Sequence, residues 1–193
     1  MDLEETARLL STSFLDYPVM TALAGSVARQ RRVLPYFFRC CTRHAMASGG
    51  ALSAEGGAAL WLNSQLGPSA GESIRCGLLA LPFRVGFDRV RRAALHEQAA
   101  IALMNRAVEG PYGCLWFVGV KPELHGKGVA RGLVDRSLDA MAARGLRQCV
   151  LTTEREQNVT IWSRCGFEVR GHTHVTATDL PLWLMTRPIG ARP

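Results

Sequence analysis

Between Cys114 and Arg144 the chain allows very few folds. An unbroken apolar run, Cys114-Leu115-Trp116-Phe117-Val118-Gly119-Val120, gives way to polar Lys121-Pro122-Glu123-Leu124. His125-Gly126-Lys127-Gly128-Val129-Ala130 follows, and then an amphipathic pattern that lasts to Arg144. A short apolar run, a glycine-rich segment and a 3.6-residue period read as a buried strand, a loop and a helix. In the helix, Ala130, Leu133, Val134, Ser137, Leu138 and Met141 form one stripe, while Arg131, Asp135 and Asp139 face water. Gly145 is the stop signal, with Arg144 in the last turn.

The loop has the chemistry of a phosphate site. Gly126 and Gly128 lack a Cβ, so the backbone can turn tightly and approach a ligand. The helix that follows begins with N–H groups that have no internal partner. Those donors and the positive end of the helix dipole favour an anion. Lys127 adds a point charge inside the loop.

Three nucleotide-binding patterns can be compared with it. A Walker A loop needs Ser or Thr after its Lys, and Lys127 is followed by Gly128. A Rossmann fingerprint needs its third Gly where Arg131 stands, and its loop opens almost directly from the strand. Here five residues, including Pro122, separate Val120 from Gly126. The third pattern is a strand ending in Val, a Pro, then a basic or polar residue and Gly-x-Gly-x-Ala/Gly. In this the segment is similar to the acetyl-CoA loop of the GNAT N-acetyltransferases. A second stretch, Asn158-Val159-Thr160-Ile161-Trp162-Ser163-Arg164-Cys165-Gly166-Phe167, resembles that family's other hallmark. There an Asn is followed four residues later by an aromatic residue, usually Tyr, and then by Gly-Phe leading into a strand. The resemblance covers about Tyr112 to Arg170.

The resemblance implies an α/β protein with the GNAT acyl-CoA N-acyltransferase fold, a mixed sheet flanked by helices whose two central parallel strands splay apart. Coenzyme A, as the acetyl-CoA cosubstrate, would lie in that cleft. Val118, Gly119 and Val120 would line the pantetheine arm with backbone groups, as an added strand does. His125, Gly126, Lys127, Gly128, Val129 and Ala130 would hold the pyrophosphate, with Arg131 nearby. His125 replaces the family's usual Arg or Gln. Asn158 would bond the arm from the opposite wall, and Trp162 would stand where the family's Tyr protonates the leaving thiolate. The indole N–H can donate a hydrogen bond but cannot give up a proton at useful pH, so either Trp162 only stabilises the thiolate or another group, such as Ser163 or water, donates. Packing under the coenzyme is the alternative role for Trp162.

The implied reaction moves an acetyl group to an amine, which needs a base. Glu154 is the leading candidate because it follows the strand Gln148 to Thr153 and so lies near the mouth of the cleft. Glu109, Tyr112 and His96 are lesser ones, with His96 read as a surface or packing residue. A backbone N–H near Val120 would stabilise the oxyanion. The expected acceptor is a small-molecule primary amine. A non-catalytic acyl-CoA-binding protein and a protein N-acetyltransferase are the alternatives.

At 193 residues the chain has room for one domain, 1–193, with a full core. A hydrophobic fraction of 48% excludes a disordered chain. No apolar run approaches the ~20 residues of a membrane span, so no membrane role is expected. The acidic N-terminus, Met1 to Glu5, lacks a signal-peptide pattern, which points to the cytoplasm. Cys40, Cys41, Cys76, Cys114, Cys149 and Cys165 form no Cys-x-x-Cys pair and read as free thiols, with no metal site. The charge of +7 comes from scattered arginines without interleaved aromatics, and no nucleic-acid partner is expected.

The remaining elements are read from periodicity and punctuation. Helices are predicted over Leu3 to Leu15 and Ser26 to Ala47, the latter with a solvated start at Arg29-Gln30-Arg31-Arg32. A hairpin is predicted from Ala51 to Leu62 around Glu55-Gly56-Gly57. Ser69 and Glu72 suggest a capping box for a helix to Leu81, punctuated by Pro82. Phe83, Phe87, Val90 and Ala94 continue at helical spacing, and these helices would wall an acceptor pocket. Strand, helix and strand through Thr153 make a right-handed βαβ unit. Asn158 is predicted to cap a short helix to Arg164, and Phe167 to Gly171 and Leu182 to Thr186 to be the last strands, the final apolar one able to pair with a second copy.

Overall fold

The anticipated hairpin is the first edge of the sheet. Ala51–Ala54 (β1) and Gly57–Asn63 (β2) pair antiparallel across the predicted turn. In this computed structural model, which describes residues 1–63 and 70–190, β2 pairs antiparallel with Tyr112–Val120 (β3). β3 runs parallel to Gln148–Thr153 (β4). Beyond β4 lie Leu180–Pro188 (β6) and then Glu168–Val175 (β5), each antiparallel to its neighbour. The order is β1-β2-β3-β4-β6-β5.

The two parallel strands share only three register pairs, from Tyr112↔Gln148 to Cys114↔Val150. The cause lies on the other side of β3. Leu60 faces Phe117 and Trp61 faces Leu115, so Trp116 is an extra residue on β3. Such a bulge bends and twists the strand that carries it. Past Cys114, β3 therefore leaves β4, and the sheet opens into a wedge at its centre.

Helices cover both faces. Leu3–Ser13 (α1) is capped by Asp2, whose carboxylate accepts the Glu5 N–H at 2.7 Å. Pro18–Ala24 (α2) and Val27–Ala47 (α3) pack with α1 over one face, where Leu10, Leu34, Phe38, Leu60 and Phe117 share a core. The rings of Phe14, Phe38 and Phe117 meet one another at 5.1–5.3 Å. Val129–Ala142 (α7) covers the other face with Leu133, Val134, Leu138 and Met141, the predicted stripe, against Leu151, Phe167 and Met185. Each such side chain contributes roughly 1.5–3 kcal/mol on burial. All six cysteines are free, and burial pushes the Cys149 thiol up to about 12, so it stays protonated and inert.

Several boundaries differ from the sequence reading. Asp16-Tyr17-Pro18 ends α1 as expected, but Pro18 also opens α2, since proline suits a first helical turn. The segment read as one helix to Leu81 is Ala70–Cys76 (α4), a 3-10 turn at Leu78–Ala80 and Leu81–Val85 (α5), interrupted at Gly77. Pro82 sits inside the first turn of α5 and does not end a helix. Ser69, the proposed capping residue, lies outside the described residues. Phe87–Ala107 (α6) follows, with Phe83 81% and Phe87 67% exposed. Their helical spacing reflects contact with each other, at 5.4 Å, and not a core. Gln30, read as solvated, is fully buried. The last helix is Glu156–Arg164 (α8), which puts Asn158 inside its first turn and Arg155 at the cap. β5 and β6 extend through most of the supposed polar link, because alternation hides a half-exposed edge strand.

Candidate active site

The glycine loop forms an open cradle at one end of the wedge. Gly126 and Gly128 have φ of 76° and 81°, the left-handed region in which glycine is at ease. A Cβ at either would meet nothing within 4 Å, so the space above them is free for a guest. The first hydrogen bond into α7 is from Gly132 N–H to Gly128 O. The N–H groups of Gly128, Val129, Ala130 and Arg131 precede it and find no acceptor among the described residues. Four open donors at a helix start suit a diphosphate.

The side chains of this loop divide unevenly. His125 Nε2 lies 3.1 Å from Val120 O, which also accepts from Ser13 Oγ at 3.3 Å. A neutral imidazole has a single N–H, and here it is spent on the strand. His125 therefore anchors the loop to the end of β3, and the Val120 carbonyl is already occupied. At Gly119 α1 comes close, with Leu10 and Ser13 only 2.9 Å from where a Cβ would be. Lys127 is exposed at the loop tip. Arg131 lies beside the open amides, 4.0 Å from Asp135.

Glu154 and the residues anticipated to hold the coenzyme, Lys127 excepted, line one cavity of about 1110 Å³, which runs through the wedge and on between α1, α2, α5 and α6. Asn158 stands on its second wall. Its Nδ2 donates to Thr153 Oγ1 at 3.1 Å and to Tyr17 Oη at 3.4 Å. Trp162 is half-buried and packs edge-on against Phe167 at 5.8 Å.

At the end of β4 the Glu154 carboxylate is only 8% exposed. Its Oε1 lies 3.0 Å from His96 Nε2, and His96 Nδ1 lies 2.8 Å from Thr178 Oγ1. Thr178 in turn donates to Val175 O at 3.4 Å, which leaves its oxygen to accept from Nδ1–H. With that tautomer, assigned from the hydrogen bonds, Nε2 can share a proton with Glu154. His96 is thus a buried partner of the candidate base, and not a surface residue. Glu109 is exposed and Tyr112 buried at the far end of β3, away from the cavity, because β3 runs from them toward the wedge.

Two further residues line the cavity that sequence reasoning does not single out. Tyr17 Oη is 2.9 Å from Thr153 Oγ1 and accepts the Glu154 N–H at 3.4 Å. Burial, helped by the charge of Glu154, raises its pKa well above the usual phenol value, so its proton stays on. Its corner is held by neighbours. Asp16 sits at φ 60°, its N–H bonded to buried Gln30 at 2.7 Å and its carbonyl to Arg155 at 2.8 Å. Pinning an unfavoured backbone from two sides is typical of positions that aim a side chain. Glu97 is the other; burial is the main cause that raises its carboxyl pKa. Its signal is present in Val90, Ala93, Ala94, Glu97 and Ala100, a small-residue stripe at helical spacing with one carboxylate in it.

A mixed sheet split at its centre, with unpaired helix-start amides at the end of the split, defines a GNAT-type α/β protein. Residues 91–167 match the model of the Acetyltransferase (GNAT) family. Solved structures agree on the fold. Arylalkylamine N-acetyltransferase 2 from Aedes aegypti is 15% identical, with 97% of this chain and 94% of that one covered and a TM-score of 0.62. Putative arylalkylamine N-acetyltransferase 7 from the same mosquito gives 12%, 97%, 83% and 0.67. The polyamine N-acetyltransferase of Drosophila melanogaster, which forms N-acetylagmatine, gives 13%, 97%, 97% and 0.58. Two other acetyltransferases align over only 40% of this chain and 50% and 56% of their own. Among the described residues no helix is long and apolar enough to cross a membrane.

Proposed function

We propose that the chain, acting as one domain, transfers the acetyl group of acetyl-CoA directly to the primary amine of a small molecule in a ternary complex. The observation that carries this reading is the continuity of the cavity, which joins the open amides at Gly128–Arg131 to the Glu154–His96 pair. Acetyl-CoA, when bound, supplies the thioester that is attacked and the thiolate that departs.

The residues present fit that donor. The loop amides, with Arg131 and Lys127, hold the diphosphate. The unpaired edge of β3 beyond Cys114 and the Asn158 amide hold the arm in the wedge. Glu154 takes the proton of the acceptor, and His96 Nε2 shares it, so neither carries an isolated charge in a buried place. Tyr17 keeps its hydroxyl proton and, unlike Trp162, can give it to the leaving sulfur. Around these groups the acceptor half is apolar, with Phe14, Met20, Leu23 and Val90 among its walls. That lining suits an amine on an aryl or alkyl body, the class for which two of the structural neighbours are named.

Titrating the purified chain with acetyl-CoA, then screening aryl, alkyl and polyamine acceptors for thiol release, tests the reading. Micromolar binding with turnover on aryl or alkyl amines is the expected result. Binding without turnover on any amine would make the chain a coenzyme-binding protein, and no binding would end the proposal.

A further inference from the structure

We propose that Glu97 is the acceptor's ammonium site, selecting primary amines with apolar bodies over their uncharged isosteres. The inference rests on the acetyltransfer reading for its biological meaning, though not for its physics.

α6 faces the cavity with one stripe, Val90, Ala93, Ala94, Glu97 and Ala100, spaced three or four residues apart. Four of the five are small and apolar, and across the space α2 presents Met20 and Leu23. A carboxylate in the middle of such a stripe is costly unless a partner meets it. Among the described residues Glu97 has no hydrogen-bond or ion-pair partner. Its neighbour His96, one position and about 100° round the helix, turns instead to Glu154. Among the described residues, then, no cationic group meets Glu97 in contact. Burial raises its proton affinity, the charge of Glu154 acts in the same sense, and His96 opposes both.

The missing partner is cationic and comes from the cavity. Glu154 is a poor substitute for this role, because its Oε1 is already occupied by His96. The two carboxylates thus divide the work. Glu97 holds the incoming ammonium within the apolar chamber, and Glu154 with His96 takes up the proton that must leave before nitrogen can attack. A second cationic group on the acceptor would have no counterpart among the apolar walls, so monoamines are favoured over polyamines.

The test uses the purified full chain, 2-phenylethylamine and its neutral isostere 2-phenylethanol. Affinity for each is measured by ligand-observed NMR, with coenzyme A and without it, for the parent, Glu97→Gln and Glu97→Ala. Alanine matches the neighbouring stripe and a helix interior, so one variant should fold even if the amide is not tolerated. The parent should bind the amine at least about tenfold more tightly than the alcohol. Both variants should lose that preference through weaker amine binding, with the alcohol changed less than about threefold. An unchanged amine-to-alcohol ratio in a folded variant overturns the assignment, as does a parent with no preference. Failure of coenzyme A to bind the parent would count against acetyltransfer alone, since the amine preference is read without it as well.

Discussion

The two ends of the cavity offer a guest different parts of the chain. At the loop end the groups on offer are backbone: amides of Gly128, Val129, Ala130 and Arg131 left open by the start of α7. At the far end they are side chains, Tyr17 from the corner before α2, His96 and Glu97 from α6, and Glu154 from the end of β4. The first is local, six consecutive residues and a helix. The second is assembled from segments more than a hundred residues apart, as the Tyr17–Thr153 contact illustrates. A backbone site depends on geometry that few sequences allow, whereas a side-chain site depends on tertiary placement.

Breaking the loop end should have the largest effect. Gly128→Glu puts a carboxylate among donors that suit a diphosphate, at a left-handed position that costs roughly 1–2 kcal/mol for a residue with a Cβ. The space above the residue is open, so the fold should survive. Acetyl-CoA affinity by calorimetry should fall by more than about a hundredfold. Near-parental affinity in a folded variant would remove the loop from the site.

The base should come next, with the opposite signature. Glu154→Gln keeps the shape of the pair with His96 but cannot hold the proton. Turnover should drop about 10²–10³-fold, within the range for losing a general base, and acetyl-CoA affinity should stay within about threefold. Turnover within about threefold of the parent would return the role to water.

The same contrast explains which parts of the molecule are legible in the amino-acid sequence. The loop, α7 and β4 are legible because each has a local cause: glycine at φ 76° and 81°, an apolar stripe, a strand between clear stops. The splay of β3 from β4 follows only from the family resemblance, since the bulge at Trp116 appears only when β2 is paired beside it. The partners of His96, read as a surface or packing residue, are hidden for a similar reason. Nothing within α6 reveals that Thr178, 82 residues on, and Glu154, 58 residues on, close around it. Phe83 and Phe87 mislead in the other direction, because apolar periodicity does not tell a core from an exposed ring pair. Tyr17 sits in what reads as a simple helix break.

Tyr17→Phe probes that hidden corner. The ring still packs beside Phe14, at 5.3 Å, so structure should hold. Turnover should fall about tenfold for loss of a positioned proton donor, at the modest end of acid–base effects. Acetyl-CoA affinity should change less than about threefold. Because the phenol's pKa is raised, its proton is on throughout the neutral range, and the pH profile should keep its shape while losing height. A changed alkaline limb near neutral pH would mean that another group titrates in its place.

Trp162→Phe should do least, and it decides which end supplies chemistry. The resemblance would put the indole where the family's tyrosine acts, yet its contact is with Phe167 and its N–H is not an acid in water. A phenyl ring can keep the edge-on packing while removing the N–H. If proton delivery has moved to Tyr17, turnover and coenzyme affinity should both remain within about threefold of the parent, and the double variant with Tyr17→Phe should be no worse than Tyr17→Phe alone within the same factor. A tenfold fall for Trp162→Phe would show that the indole N–H stabilises the leaving thiolate and would shift that duty from Tyr17 back to α8.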